Sequence, residues 1–160
     1  MRATLGMRHA VLWVSDPDRS AEFYAEALGL EEANRLPGAI FLTSPRSATD
    51  HDLGLFQAQG PPPDSRSVGL YHIAWEVETL TDLVEARERL AAMGALVGEN
   101  NHGMSRSLYA QDPDGIEFEV MWEVPVELYD PEDPSNVPLD LEADMARFGA
   151  TSPGRGGPAT

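Results

Sequence analysis

Apolar and polar positions follow two rhythms along this chain: alternation with a period near two, and stripes spaced by three or four. Residues 8–14 (R-H-A-V-L-W-V) are β-branched and aromatic, and Ser-Asp-Pro ends them, which predicts a strand. Ser15 or Asp16 is a good N-cap, and Pro17 suits the first helical position. A helix is predicted from about Pro17 to Leu28, with Ala21, Phe23, Tyr24, Ala27 and Leu28 as its apolar stripe and Gly29 as its stop. Three short strands are expected near Leu30–Asn34, Ala39–Thr43 and Asp52–Gln57, separated by turn-rich pieces. The segment from Gly60 to Arg66 reads as a stiff polar connector.

The same rhythm then starts again. Leu70 to Val77 predicts a strand, and Thr79 or Thr81 caps a helix running to about Met93. Its stripe is Leu80, Leu83, Val84, Ala86, Leu90 and Met93, and Gly94 ends it. Strands follow near Leu96–Gly98, Ser107–Ala110 and Ile116–Trp122, the last two joined by a tight turn at Asp112-Pro113-Asp114-Gly115. The order strand, helix, three strands therefore occurs twice. His9-Ala-Val-Leu-Trp-Val aligns with His72-Ile-Ala-Trp-Glu-Val at an offset of 63 residues. Neither half can bury its sheet alone. The expectation is an α+β fold of paired βαβββ modules, about 8–59 and 68–124, forming a curved mixed sheet within one domain over residues 1–125. Both first strands would lie near a pseudo-twofold axis, and two distant histidines would meet there.

After Pro125 the pattern changes. Residues 126–160 form an acidic, Pro-rich extension in which Leu139, Leu141, Met145 and Phe148 predict a short helix packing on the core. From Ala150 onward the small, polar composition predicts disorder.

Composition removes several chemistries. The chain has 160 residues and no Cys, which excludes disulfides, thiol nucleophiles and Cys-ligated metals. It also has no Lys, so all 11 basic residues are Arg, which excludes Schiff-base chemistry and a P-loop lysine. A formal net charge of −16 argues against a nucleic-acid partner. No apolar run approaches a membrane span, and the start lacks the apolar core of a secretory signal. A cytoplasmic protein is expected, with no nucleic-acid or membrane partner.

Four histidines remain to be explained. Taken singly, each is read as an ordinary core or loop histidine. Taken together, His9 and His72 open equivalent strands, and Glu119 lies in the last strand of the second half. A carboxylate in an apolar strand calls for a compensating charge. Two imidazoles and one carboxylate with open positions are the ligand set of a non-haem Fe(II) facial triad, and Mn(II) or Zn(II) tolerates a similar set. The 63-residue offset places Phe56 opposite Glu119 in the repeat, which leaves at most three such ligands; Gln57 beside it offers a weak oxygen donor if the alignment slips by one. His51 and His102 sit in loops expected near the mouth of this site, and a histidine is the usual acid–base group near neutral pH. Tyr109 is either a strand aromatic or a phenol donor to a bound oxyanion. Trp13, Trp75 and Trp122 could line a stacking pocket, but strand tryptophans are expected first in the core.

The pieces H-D-L-G-L-F, G-L-Y-H-I-A-W-E-V, N-H-G-M-S-R-S-L-Y and D-P-D-G-I-E-F-E resemble the vicinal oxygen chelate superfamily over residues 8–124. Within it they are most similar to type I extradiol, catechol 2,3-dioxygenase-like enzymes. That resemblance implies the vicinal oxygen chelate fold around a metal-binding cleft, with His9, His72 and Glu119 as metal ligands. It implies Fe(II), with Mn(II) as an alternative, and O₂ and a catechol-type diol as substrates. His51 would then be the acid–base residue, and His102 and Tyr109 would hold the substrate's oxygens. Two-domain members carry a longer segment between the equivalents of His102 and Tyr109 and an extra N-terminal module, so the pocket wall and the natural substrate stay open. A homodimer is also implied. The alternatives are a glyoxalase-like metal-dependent isomerase or lyase, which usually places a second carboxylate where Phe56 stands, and a metal-free drug- or pigment-sequestering protein of the bleomycin-resistance type.

Overall fold

The computed structural model describes residues 4, 6–60 and 68–156. The chain divides into two compact units, residues 1–67 and 68–160, and each is described by itself. The connector expected at residues 60–66 lies, but for Gly60, outside the described residues.

The first unit is a βαβββ module: β1 (Ala10–Val14), α1 (Pro17–Leu28), β2 (Glu31–Leu36), β3 (Ala39–Thr43) and β4 (Leu53–Gln57). Asp16 is the N-cap of α1 and accepts from the backbone N–H groups of Asp18 and Arg19. Gly29 closes the helix in the left-handed region (φ 69°), which costs glycine nothing. The sheet order is β1-β4-β3-β2, with β1 parallel to β4 and the other pairs antiparallel. The crossover through α1 is what permits that parallel pair. Tyr24 and Ala27 of α1 are buried, as are Leu12, Val14, Ile40, Leu42, Leu53 and Leu55 from the strands, while Phe23 and Leu28 are only partly covered. Along β1 the alternation is strict: Leu12 and Val14 face in, and Val11 and Trp13 face out. Trp13 is 68% exposed, against the expectation that it packs in the core, because its strand position carries the outward parity.

The second unit repeats the plan with β5 (Ile73–Glu76), α2 (Leu80–Ala92), β6 (Leu96–Asn101), β7 (Ser105–Gln111) and β8 (Glu117–Glu123), in sheet order β5-β8-β7-β6. Thr79 caps α2 in a capping box with Asp82. Leu80, Leu83, Ala86 and Leu90 of α2 are buried, as are Leu108, Ala110, Phe118, Val120 and Trp122 on the strand faces. The β7–β8 turn is held by Gly115 N–H to Asp112 O (2.9 Å), with Asp112 Oδ1 accepting from Asp114 and Ile116. The two modules thus form two four-stranded mixed sheets.

The register corrects one equivalence drawn from the sequence. Ala10 pairs with Leu53, whereas Ile73 pairs with Phe118, so the partners are 43 and 45 residues apart. The second module is two residues longer between its first and last strands. Glu119, which pairs with Ala74, therefore corresponds to Gly54 and not to Phe56. A constant offset misses this because loop lengths are not bound by strand geometry. Gly54 offers no side chain, and a Cβ there would meet Val11 Cγ2 at 3.3 Å and Phe56 Cε2 at 3.2 Å.

The extension belongs to the second unit. A 3₁₀ turn (Val126–Leu128) leads to the helix α3 (Leu141–Phe148), capped by Asp140. Asp144 of α3 meets the guanidinium of Arg106 on β7 at 2.7 Å, and both are buried. Arg106 and Arg147 also lie over the Phe148 ring, at 5.3 Å and 4.6 Å. Residues 150–156 are not the disordered stretch that composition suggests. Ala150 O accepts from Thr81 N–H (3.0 Å), Gly154 N–H donates to Glu78 O (2.7 Å), and Arg155 N–H donates to Glu123 O (3.1 Å). The enabling feature is size: Gly154 lies so close to Trp122 that a Cβ would stand 3.0 Å from its ring. Glycine here is a contact surface. Residues 157–160 lie outside the described residues.

Candidate functional site

The chemistry-bearing residues fall into two clusters, one in each unit. In the first, His9 precedes β1 and is exposed, and His51 precedes β4. Their rings stack at 4.4 Å between centroids, and Phe41 stands edge-on to His51 at 5.0 Å. His51 Nδ1 lies 3.0 Å from Asp50 Oδ2, and that hydrogen bond is the main reason the Asp50 carboxyl is held below its usual range.

The His51 loop is shaped by Asp52. Its Oδ1 accepts from Ser47 Oγ (2.7 Å) and Thr49 Oγ1 (2.8 Å), and its Oδ2 accepts from Ser44 N–H (2.8 Å). Thr49 Oγ1 also lies 2.9 Å from His51 O. Burial pushes the Asp52 carboxyl up, but these bonds outweigh it and leave it below the ordinary value. Short hydroxyl side chains clustered around one carboxylate are what a tight loop needs to satisfy its backbone without a sheet.

In the second unit, alternation along β7 and β8 sorts the side chains. Ser105, Ser107 and Tyr109 share a face with Glu119 and Met121, because Tyr109 and Glu119 are direct cross-strand partners. Phe118, Val120 and Trp122 point the other way, into the buried core. Glu119 is buried and sits with its Oε2 3.1 Å from His72 Nε2. His72 Nδ1 is buried and has no hydrogen-bond partner among the described residues. The Tyr109 ring meets the His72 ring edge-on at 5.7 Å. The Tyr109 hydroxyl lies 2.8 Å from His102 Nε2, and His102 Nδ1 lies 3.1 Å from Asn136 Oδ1. Burial raises the Tyr109 pKa, and the charge on Glu119 adds to it, so the phenol keeps its proton near neutral pH. Glu117 accepts a hydrogen bond from Tyr71, which raises the pKa of that exposed phenol.

Four of the six residues singled out in the sequence thus gather in one unit: His72, Glu119, Tyr109 and His102. His9 and His51 gather in the other. The donor set suits a divalent cation. An imidazole nitrogen and a carboxylate oxygen 3.1 Å apart are spaced like two adjacent ligands that each stand ~2.1 Å from a common ion. Among the described residues, however, no group of three or more His, Asp or Glu side chains converges to hold a metal. Nor is any described helix long and apolar enough to cross a membrane. Sequence reading missed Asn136 and Tyr71. Tyr71 adjoins His72 in the chain, a signal that was available, whereas Asn136 sits 34 residues from its partner His102 in a Pro-rich segment with no motif.

Biphenyl-2,3-diol 1,2-dioxygenase 3 of Rhodococcus globerulus is 31% identical over 119 residues, which cover 72% of this chain and 62% of that protein. The manganese-dependent 2,3-dihydroxybiphenyl 1,2-dioxygenase of Geobacillus genomosp. 3 is 29% identical over 121 residues, covering 72% and 36%. The chain therefore spans less than two thirds of the length of these curated relatives. Among solved structures, a glyoxylase/bleomycin resistance protein/dioxygenase domain from Frankia sp. EAN1pec is 28% identical with a TM-score of 0.62, covering 76% of this chain and 99% of that one. The model of the Glyoxalase/Bleomycin resistance protein/Dioxygenase superfamily matches residues 6–120. With two βαβββ modules and this match across most of its length, the chain belongs to the glyoxalase/bleomycin resistance protein/dioxygenase superfamily, whose fold is the vicinal oxygen chelate fold.

Proposed function

We propose that this protein is an extradiol dioxygenase that opens the ring of a catechol-type diol with O₂, using Fe(II) or Mn(II). The observation that carries the reading is the cluster in the second unit: a buried Glu119 against His72, with a Tyr109–His102 pair beside it. His9, His72 and Glu119 are the proposed ligands. A bound divalent metal supplies a Lewis acid that lowers the pKa of a coordinated hydroxyl. The name of one relative specifies manganese, which supports keeping Mn(II) beside Fe(II).

The protein's own groups have separable tasks. Tyr109 keeps its phenol proton, and on substrate binding the Tyr109 hydroxyl and the His102 ring nitrogen would exchange their mutual hydrogen bond for bonds to the substrate's oxygens. Two polar atoms 2.8 Å apart match the spacing of vicinal oxygens, so they orient a diol in preference to a single alcohol. His51, positioned by the Asp52 network, takes up and returns the proton that the reaction moves. Overall, the carbon–carbon bond beside the diol breaks, both atoms of O₂ enter the product, and no external reductant is consumed. A homodimer is part of this proposal.

The counterpart of Glu119 in the first module is Gly54. A glyoxalase-like isomerase wants a second carboxylate there, so this residue favours the dioxygenase. The test is anaerobic reconstitution with Fe(II), addition of a panel of catechols, and measurement of O₂ uptake together with the coloured ring-fission product. Stoichiometric uptake with colour supports the dioxygenase. Tight ligand binding with neither is the result expected of a sequestering protein and overturns it.

A further inference from the structure

The extension carries a residue that reaches back to the candidate site. Asn136 Oδ1 lies 3.1 Å from His102 Nδ1, and Asn100 Nδ2 points at the same oxygen from 3.5 Å. An amide oxygen only accepts hydrogen bonds. With the Asn136 amide oxygen turned toward the ring, the orientation that the Asn100 Nδ2 donor beside it also favours, His102 Nδ1 carries the proton. In the neutral ring this leaves Nε2 bare, so the Tyr109 hydroxyl, 2.8 Å away, must be the donor in that pair. One acceptor on the extension thus sets the direction of two hydrogen bonds in series.

The backbone is built to hold that oxygen in place. Asn136 is the one non-glycine with a positive φ among the described residues, at 58°, a conformation that Asn tolerates better than most. Such a conformation persists where the surroundings over-determine it. Here Val137 forms a two-way bridge with Asn101, with N···O distances of 3.0 and 3.3 Å. Gly103 lies beside the extension, where a Cβ would be in ordinary contact with Ser135 Cβ at 3.5 Å, and its φ of +78° is one that glycine adopts freely. Asp133 at the head of the segment accepts from Arg147 of α3 (2.8 Å), and the buried Arg106–Asp144 pair ties α3 to β7. Strand β6, the His102 loop and residues 133–137 are therefore one braced piece.

We infer that Asn136 is a positioning residue of the site: it fixes the Nδ1–H tautomer of His102 and thereby aims the Tyr109 hydroxyl. This rests on the diol reading only for its consequence in catalysis, since the tautomer is a property of the protein alone. Asn136→Gly removes the acceptor and keeps the left-handed backbone accessible. Asn136→Asp keeps an acceptor oxygen and tolerates the same backbone.

The experiment is ¹⁵N-edited NMR of the imidazoles in the full chain, about two pH units above the ordinary histidine pKa of ~6.5 so that the rings are neutral. Wild type and Asn136→Asp are expected to show His102 protonated on Nδ1, and Asn136→Gly is expected to move toward the Nε2–H form. In parallel, Fe(II)-loaded proteins are assayed with a catechol. Asn136→Gly is expected to lose about 10- to 100-fold in kcat, with recovery in Asn136→Asp. An Nε2–H tautomer in wild type, or an unchanged tautomer in Asn136→Gly, overturns the assignment whatever the activity. A tautomer shift in a protein whose wild type consumes no O₂ with any diol supports Asn136 and overturns the dioxygenase reading instead.

Discussion

The two modules share one backbone plan and differ in what they load onto it. Both run βαβββ, both place a histidine just before the first strand, and both pair that strand in parallel with the last. Yet at the position where the second module buries Glu119, the first has Gly54. The first keeps its second histidine on a loop shaped by hydroxyls around Asp52. The second has Tyr109, His102 and a C-terminal brace, with Asn136, Arg106 and Asp144 all acting on one strand pair. A repeat therefore constrains the scaffold more than the chemistry. Strand pairing depends on the backbone and on alternating apolar positions, and both modules meet that demand. The outward face of the sheet is free of it, so the two copies diverge there.

Breaking this asymmetry at Glu119 should have the largest effect. Glu119→Ala removes the buried carboxylate whose counterpart in the first module is Gly54. It is expected to lose bound metal, measured by elemental analysis, and turnover with it, while circular dichroism stays unchanged. Next is the first module's own contribution. His51→Ala is expected to keep its metal and lose roughly 10²- to 10⁴-fold in kcat, the usual size of an acid–base contribution. Full metal content with unchanged kcat would remove His51 from the scheme.

The brace is tested through stability. Asp144→Ala strands the buried Arg106 guanidinium, and breaking a buried pair costs about 3–5 kcal/mol. Hydrogen exchange should show weakened protection in β6, β7 and α3. The smallest effect is in the Asp52 loop. Asp52→Asn should cost about 1–2 kcal/mol at neutral pH, read from the denaturant midpoint, because it weakens bonds to a charged acceptor. The sign of its pH dependence follows from the lowered pKa. The folded carboxylate is stabilised above the unfolded value of about 3.9, and that advantage fades as pH falls through the folded value. The gap between wild type and variant should therefore close in acid.

Much of the scaffold was legible in the residues themselves. Helix α1 and strand β3 carry the bounds that their patterns predict, because caps and periodicity are local. The repeat was likewise legible in the matched starts of its two halves, and the tight turn between β7 and β8 was legible in Asp112-Pro113-Asp114-Gly115. What local pattern does not encode is the contact between segments far apart in the chain. The strand register that makes Gly54 the counterpart of Glu119 depends on two residues of loop length. The ordering of residues 150–156 depends on the flat face of Trp122 and on backbone groups at Thr81 and Glu78, none of which is visible from a Gly- and Pro-rich composition. Asn136 is the sharpest case. Nothing in P-S-N-V-P announces a partner, because its oxygen acquires a role only when folding sets it against His102. The sequence by itself determined the two modules and the kinds of donor they carry. Only the tertiary structure decided which donors face one another, since that is settled by packing between segments whose separation along the chain no periodicity measures.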